Sequence, residues 1–197
     1  MKSSRGYVMT ARARAAEETG TRILDAAAAL FPTRPYAQLT LGALADRAGV
    51  SVQTVVRRFG DKDGLVAAAA QRVGAKVADQ RGRAPVGDLP GIVDNLVEHY
   101  EQQGRVALRL LAEEETSPAV ATLARQGREL HRAWCRRVFE PWLTTTTGAA
   151  RRRLLAQLVA TCDARTWQLL RLDEGLSRAD TRLALLEMLA PHTTGRP

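Results

Sequence analysis

The stretch TLGALADRAGVSVQTVVRRF, residues 40–59, decides the fold of the first part of this chain. Its apolar residues recur at helical spacing on both sides of Gly49, which predicts two short helices, residues 41–48 and 52–58, joined by a tight turn. Thr40 and Ser51 stand just before these helices, where a hydroxyl can cap free backbone N–H groups. The pattern is typical of a helix-turn-helix, which places its second helix in the major groove of DNA.

The second helix of this pair is predicted to have two chemically distinct faces. Val55 is expected to pack inward together with Val50 and Phe59. The outward side chains are of types that contact bases and phosphates: Val52, Gln53, Thr54, Arg57 and Arg58. Gln53 can donate to and accept from one adenine, and Arg57 can bind guanine or a phosphate with two N–H groups. We therefore expect this face to contact double-stranded DNA.

Phosphate contacts are expected around the same helix pair. The candidate donors are the side chains of Thr40, Ser51, Thr54 and Lys62. Asp61 is the predicted cap of a further helix, so Lys62 lies in its first turn, where N–H groups and the ammonium can bind a phosphate together. The alternative for Lys62 is an ordinary solvated surface lysine. The net charge of +8 agrees with a nucleic-acid partner.

The flanking sequence predicts three parts of the chain. Residues 1–16 contain Lys2, Arg5, Arg12 and Arg14 without any acid, which indicates a basic arm. An apolar stripe predicts a helix over residues 17–31, and the helix after Asp61 is expected to continue to about residue 80. The segment 81–90 contains two prolines and two glycines and marks a boundary. We expect a DNA-binding domain at 17–80 and a second domain at 81–197.

The second domain is predicted to be helical throughout, so the fold class is all-α. Helical periodicity covers residues 91–103, 105–115, 118–143, 149–172 and 178–189. Ser177 and Asp180 have the spacing of a capping box, while Pro141 and Pro191 are expected to kink or end their helices.

The chain resembles the TetR family of bacterial transcriptional regulators, and the specific part of the resemblance runs from Ile23 to Leu65. The family usually has a Thr that opens the second helix and then the pattern "IA..AGVS..TLY.YF..K..L" across the turn. These features are matched in order and spacing by Thr40, Ala45, Ala48, Gly49, Val50, Ser51, Thr54, Phe59, Lys62 and Leu65. Val56 replaces the tyrosine that usually contacts a phosphate, Arg58 replaces the next aromatic residue, and Pro35 stands where a glycine is frequent. The neighbouring Arg57 and Arg58 can restore the lost phosphate contact by charge.

The resemblance implies a three-helix DNA-binding unit joined by a fourth helix to a helical domain for ligand binding and dimerisation. The usual member is a repressor that a small-molecule effector releases from a palindromic operator. The helix over 149–172 has an apolar stripe wider than one core needs, so it and the last helix are expected to form a homodimer through a four-helix bundle. The candidate dimer residues are Leu155, Leu158, Cys162, Leu169, Leu183 and Leu186. The alternative is that both helices complete the core of one protomer.

An effector site is expected among the aromatic residues of the second domain. The candidates are Tyr100, Trp134, Phe139, Trp142 and Trp167, for which ordinary core packing is the alternative. Cys135 and Cys162 lack metal-like spacing and are expected to be small buried residues, with an oxidation sensor as the alternative.

The sequence contains no visible nucleophile–base pair, metal cluster or phosphate loop, so we expect neither an enzyme nor a cofactor. No apolar run has the length of a membrane span, and a cytoplasmic protein is expected. The alternative function is a helical dimeric protein that binds or sequesters a ligand and has a weakened DNA-binding motif.

Overall fold

The computed structural model describes residues 4–193, and the side chains of residues 13–193. The described chain is built from helices and contains no β-strand, which confirms the all-α fold class. It divides into two compact units, one ending at Gly74 and the other beginning at Ala75. In the described part of the chain, no helix combines the length and apolar content needed to cross a membrane.

The first unit contains the predicted helix-turn-helix. Its elements are α1 (Ser4–Leu30), a 3-10 turn (Tyr36–Gln38), α2 (Leu41–Ala48), α3 (Val52–Phe59) and the first part of α4 (Lys62–Gly82). The core joins side chains from all four helices, among them Ile23, Leu44, Val55 and Leu65. Each of these is fully buried, and such a side chain contributes about 1.5–3 kcal/mol to stability. The paired helices are therefore held by their inner faces, and their outer faces do not contribute to the core.

The first helix is longer than the sequence analysis predicted. It begins at Ser4, so residues 4–16 of the predicted basic arm are helical and continuous with the rest of α1. The physical reason is the alanine- and arginine-rich sequence, in which both residue types favour helix. Arg14 and Glu18 add an ion pair of 3.3 Å at i,i+4 spacing. The side chains of Lys2, Arg5 and Arg12 lie outside the described residues.

The second unit packs the remaining helices around one apolar core. After the last part of α4 come α5 (Leu89–Ala112), α6 (Pro118–Val138), α7 (Glu140–Leu143), α8 (Gly148–Thr161), α9 (Ala164–Gln168), a π-helical turn (Leu169–Asp173) and α10 (Arg178–Thr193). Its largest fully buried side chains are Phe139, Ile92, Leu96, Leu143, Leu158, Leu185 and Leu189. Pro141 follows the end of α6, as predicted, and lies in the first turn of α7.

Residues 89–112 form one helix, α5, where two helices over 91–103 and 105–115 were predicted. Gly104, which stands between the two predicted ranges, lies within α5 and is buried. A Cβ atom at this position would come within 2.4 Å of the Trp167 ring. The glycine is thus required by close packing between α5 and α9, and not by a turn.

Residues 149–172 form a broken helix where one continuous helix was predicted. The chain leaves α8 at Cys162, and the side chain of Asp163 caps α9 by accepting from the N–H of Arg165 at 2.9 Å.

The predicted end of the last helix at Pro191 is also wrong, because α10 continues to Thr193. At its other end the predicted cap is confirmed, since Ser177 Oγ accepts from the N–H of Asp180 at 3.0 Å.

Candidate nucleic-acid interface

Local hydrogen bonds fix the two helices of the first unit around their turn. Thr40 Oγ1 accepts from the N–H of Ala43 at 3.1 Å and caps α2. Ser51 Oγ accepts from the N–H of Thr54 at 3.2 Å and caps α3. Between them Gly49 adopts a left-handed conformation, with φ of 66° and ψ of 43°. Both caps and the glycine turn are confirmed, and they set the direction in which α3 leaves the turn.

The third helix presents a polar face to solvent above a buried one. Val55 is fully buried, whereas Gln53 and Arg57 are exposed. Arg57 forms no ion pair within the described part of the chain, so its guanidinium is available to a partner. Val52 and Val56 are exposed by 43% and 42%, which places an apolar side chain outward at the position of the family's tyrosine. Thr54 is partly buried at the edge of this face.

The hydroxyl groups at the start of α3 share one hydrogen bond. Ser51 Oγ and Thr54 Oγ1 are 2.9 Å apart, and one of the two hydroxyl protons lies between them. The other proton remains for a donor role towards solvent. Thr40 is exposed, and because its Oγ1 acts as an acceptor in the α2 cap, its proton is also available. The predicted phosphate donors therefore retain two hydroxyl protons for a ligand.

Arg58 has a structural contact that the sequence did not indicate. Its Nη1 donates to the carbonyl oxygen of Ala16 at 2.8 Å, which ties the end of α3 to α1. The guanidinium occupies the space beside Gly20, where a Cβ atom would come within 2.3 Å of it. Arg58 was predicted among the DNA contacts. One of its N–H groups is used instead in the hydrogen bond to Ala16, which holds α3 in place.

Lys62 is also tied to the first unit. Its Nζ donates to the carbonyl oxygen of Tyr36 at 3.1 Å and lies 4.1 Å from the centroid of the Tyr36 ring. Asp61 Oδ1 accepts from the N–H of Gly64 at 2.8 Å, which confirms the predicted cap of α4. The Lys62 ammonium is partly buried and is therefore not a freely solvated group. Because it has three N–H donors, it can still bind an anion.

The five aromatic candidates for an effector site all lie in the core of the second unit. Tyr100, Trp134, Phe139, Trp142 and Trp167 are each less than 8% exposed. Ring centroids are 5.9 Å apart for Tyr100 and Trp167, and also for Phe139 and Trp142. The Tyr100 hydroxyl donates to the carbonyl oxygen of Cys162 at 2.9 Å, and Trp134 Nε1 to that of Arg81 at 3.1 Å. These rings pack against one another as core residues, the alternative that the sequence left open.

The six dimer candidates divide into two groups. Leu155, Leu158 and Cys162 lie in the core of the second unit and are 8%, 0% and 0% exposed, which removes them from any surface. Leu169 and Leu183 are 58% and 53% exposed, and Leu186 is partly buried. The prediction that these three side chains form a dimer face is therefore wrong, because they point into the core of their own protomer. Met188, exposed by 43%, joins the remaining surface on α10.

A capped helix pair with an exposed polar second helix defines the first unit as a helix-turn-helix, the arrangement that places a helix in the major groove of DNA. Residues 23–69 match the sequence model of the family described as bacterial regulatory proteins, tetR family. Over this segment the first unit is thus similar to the TetR family. No curated protein matches the chain significantly.

Solved structures of other regulators have the same fold over most of their length. A transcriptional regulator from Rhodococcus sp. Rha1 is 19% identical with a TM-score of 0.66, and the match covers 92% of this chain and 97% of that one. A TetR-family regulator from Streptomyces coelicolor is 20% identical with a TM-score of 0.63, over 89% and 82% of the chains. The TetR-like regulator LfrR from Mycobacterium smegmatis, solved in complex with proflavine, is 24% identical with a TM-score of 0.54, over 90% and 97%.

Proposed function

We propose that this chain is a cytoplasmic repressor that binds a palindromic operator as a homodimer and is released by a small-molecule effector. The observation that carries the proposal is the outer face of α3, where exposed Gln53 and Arg57 stand on the side opposite the buried Val55. An amide and a guanidinium on a helix of this class are the groups that bind adenine and guanine in the major groove. Gln53 and Arg57 are therefore the proposed base contacts.

The remaining polar groups around α3 are proposed to bind the DNA backbone. Thr40 and the Ser51–Thr54 pair have free hydroxyl protons, and Lys62 supplies a charge at the first turn of α4. Backbone contacts of this kind set the register of the protein on DNA without selecting a sequence. Arg58 holds α3 against α1 and adds charge beside the phosphates.

A second copy of the chain is required for a useful operator. One short helix contacts only a few base pairs, whereas two copies related by a two-fold axis bind half-sites about 34–36 Å apart. The exposed apolar side chains Leu183 and Met188 on α10, together with Leu169 directly after α9, support a dimer face there. Such side chains lose contact with water when two α10 helices pack together.

The second unit is the proposed effector-binding domain. The support is the complex of LfrR with proflavine, a regulator of the same fold that binds an aromatic ligand. The aromatic core described above is closely packed, so an effector that enters it has to separate side chains that touch in this state. Binding would then favour a conformation that differs from the DNA-bound one, which is the thermodynamic requirement for release.

Selection from a pool of random DNA duplexes, with the purified full chain at near-physiological salt, tests the proposal. Enrichment of a palindrome is the expected outcome, because a two-fold dimer recognises two inverted half-sites. Retention of duplexes without any enriched sequence, or no binding at low salt, would contradict it. That outcome would favour the alternative of a ligand-binding or sequestering helical protein.

A further inference from the structure

Two exposed valines stand beside the proposed base contacts of α3. Val52 and Val56 are exposed by 43% and 42%, and among the described side chains of the first unit they are the exposed large apolar ones. Valine forms helix less readily than alanine does, so helix formation does not account for either residue. Their apolar surface is available to a partner of α3.

Helical geometry places these valines in one row on a flank of the polar face. Val52 and Val56 are four residues apart and therefore neighbours on the helix surface. Each is followed directly by a polar residue, Gln53 or Arg57, which lies about 100° further around the helix axis. Arg58, which is bonded to α1, lies on the other flank. The valine row thus borders the Gln53–Arg57 row on the side away from Arg58.

The two valine side chains are held in fixed positions before any partner binds. A valine in a helix has one strongly preferred rotamer, because its β-branched side chain is restricted by the preceding turn. Each of the two is also more than half covered by the protein. A contact with them therefore costs little side-chain entropy, whereas Gln53 and Arg57 have long side chains that must be ordered on binding.

The chemistry of the valine row differs from that of a phosphate contact. A valine side chain has no hydrogen-bonding group, so Val56 cannot replace the phosphate contact of the tyrosine in the family pattern. In the major groove, the base edges present hydrogen-bond donors and acceptors, and thymine adds a 5-methyl group. That methyl group is the apolar feature by which a valine can distinguish thymine from the other bases.

We propose that Val52 and Val56 contact the 5-methyl groups of thymines in each operator half-site and add to the base preference of Gln53 and Arg57. The inference rests on the proposed binding of operator DNA by α3 and names a second kind of base contact on that helix. Neighbouring side chains on a helix surface are about 5–6 Å apart, and successive base pairs about 3.4 Å. The thymines are therefore expected within about two base pairs of the bases that Gln53 and Arg57 contact.

The experiment replaces single thymines of the operator by deoxyuridine, which removes the methyl group and keeps every hydrogen-bonding atom of the base. The operator is the one enriched from the random duplexes, and one half-site is changed at a time. The affinity of the full wild-type chain is expected to fall about three- to fivefold at one or two thymines of the half-site, the effect of one apolar carbon that leaves a contact. Replacement of the other thymines is expected to leave the affinity unchanged.

Alanine variants assign each methyl contact to one valine. Val52→Ala and Val56→Ala are each expected to bind thymine and uracil operators equally well at one of the sensitive positions and to keep the wild-type response at the other. Val86→Ala is the matched control, because Val86 is also an exposed valine, at 50%, but lies between α4 and α5. It is expected to respond as wild type does at every thymine. An effect of uracil on DNA shape acts on all variants alike, so loss of the response in one variant reports the contact itself. Thermal unfolding checks that each variant is folded.

Three results would overturn the thymine contacts while the proposed function stands. They are an enriched palindrome without thymine in its half-sites, an operator in which no thymine responds to uracil, and an equal uracil response in wild type and both α3 variants. Failure of the selection to enrich any duplex would instead contradict the proposed function.

Discussion

At the scale of single residues, the proposed DNA interface depends on which polar side chains form no hydrogen bond within the protein. Gln53 and Arg57 are exposed on α3, whereas Arg58 donates to Ala16 and Lys62 donates to Tyr36. Uncommitted groups can adapt to a base edge, while the tied groups have orientations set by the protein. The proposed division is therefore sequence selection by the first pair and positioning by the second.

Replacing Gln53 by Ala is expected to relax preference at one base position of each half-site. The lost bidentate contact with adenine is worth about 1–3 kcal/mol of discrimination. The measurement is binding to a panel of operators in which one base pair at a time is changed. A variant with the base preferences of wild type would rule out the proposed contact.

Lys62→Ala is the contrasting variant for the same panel. Because a lysine on a phosphate does not distinguish bases, it is expected to weaken all sequences alike and to flatten the salt dependence of binding by nearly one unit of slope. An effect confined to one base pair would contradict the phosphate role. Thermal unfolding of the free protein separates any loss of the Tyr36 contact from the effect on DNA.

The lowered pKa of His99, in the second unit, predicts that the free energy of unfolding changes with pH. Burial lowers the pKa of His99 to about 3, and the charges of Arg81 and His131 act in the same direction. The unfolded chain therefore binds more protons than the folded one between this value and the ordinary 6.5, and stability falls as pH decreases through that window. We expect His99→Gln to reduce the loss between pH 7 and pH 5 by on the order of 1–2 kcal/mol. Urea unfolding at the two pH values measures it, and equal losses in both proteins would contradict the assignment.

At the scale of elements, close approach between helices explains where glycine is needed. A Cβ atom at Gly104 of α5 would meet the Trp167 ring, whereas one at Gly127 of α6 would have no neighbouring atom within 4 Å. Both are helical and neither has a positive φ. The two positions thus separate the packing role of a glycine from its poor helix propensity.

Alanine substitutions at these two glycines are expected to have opposite signs. Gly104→Ala forces the α5–α9 contact apart and is expected to destabilise the protein by about 1–3 kcal/mol. Gly127→Ala is the matched control and is expected to stabilise it by about 0.5–1 kcal/mol, because alanine is the better helix former. Urea unfolding of both variants gives the comparison. A stabilised Gly104→Ala protein would show that α5 and α9 are not in close contact.

At the scale of the whole molecule, the proposed dimer depends on the exposed apolar side chains of the second unit. Leu183 on α10 and Leu130 on α6 are 53% and 58% exposed, and neither contributes to the buried core. Only Leu183 lies on a helix assigned to the dimer. Charged substitutions at these sites therefore test association without opening the core.

Leu183→Glu is expected to shift the protein towards monomer, because two charged side chains would be brought together at a two-fold face. Leu130→Glu is the control and is expected to remain dimeric. Sedimentation at micromolar concentration distinguishes the species. A monomeric wild type, or two variants with the same sedimentation as wild type, would refute the proposed face.

The sequence by itself determined the helix-turn-helix, because the signals of that motif are local. Thr40, Ser51 and Gly49 act on backbone groups within three or four residues, and the apolar spacing on each helix is visible without any partner. The bounds of α2 and the caps of α3, α4 and α10 follow from the same kind of signal.

The tertiary structure alone decided the features that join distant parts of the chain. Glycine is needed at position 104 because Trp167 packs against α5 there, and Arg58 is held in place because the carbonyl oxygen of Ala16 lies beside it. The linkage of Arg81 on α4 through His131 to Cys135 on α6 likewise brings together side chains from separate helices. Contacts of this kind depend on which surfaces meet after folding, and hydrophobic periodicity along one helix contains no information about the residue that will face it.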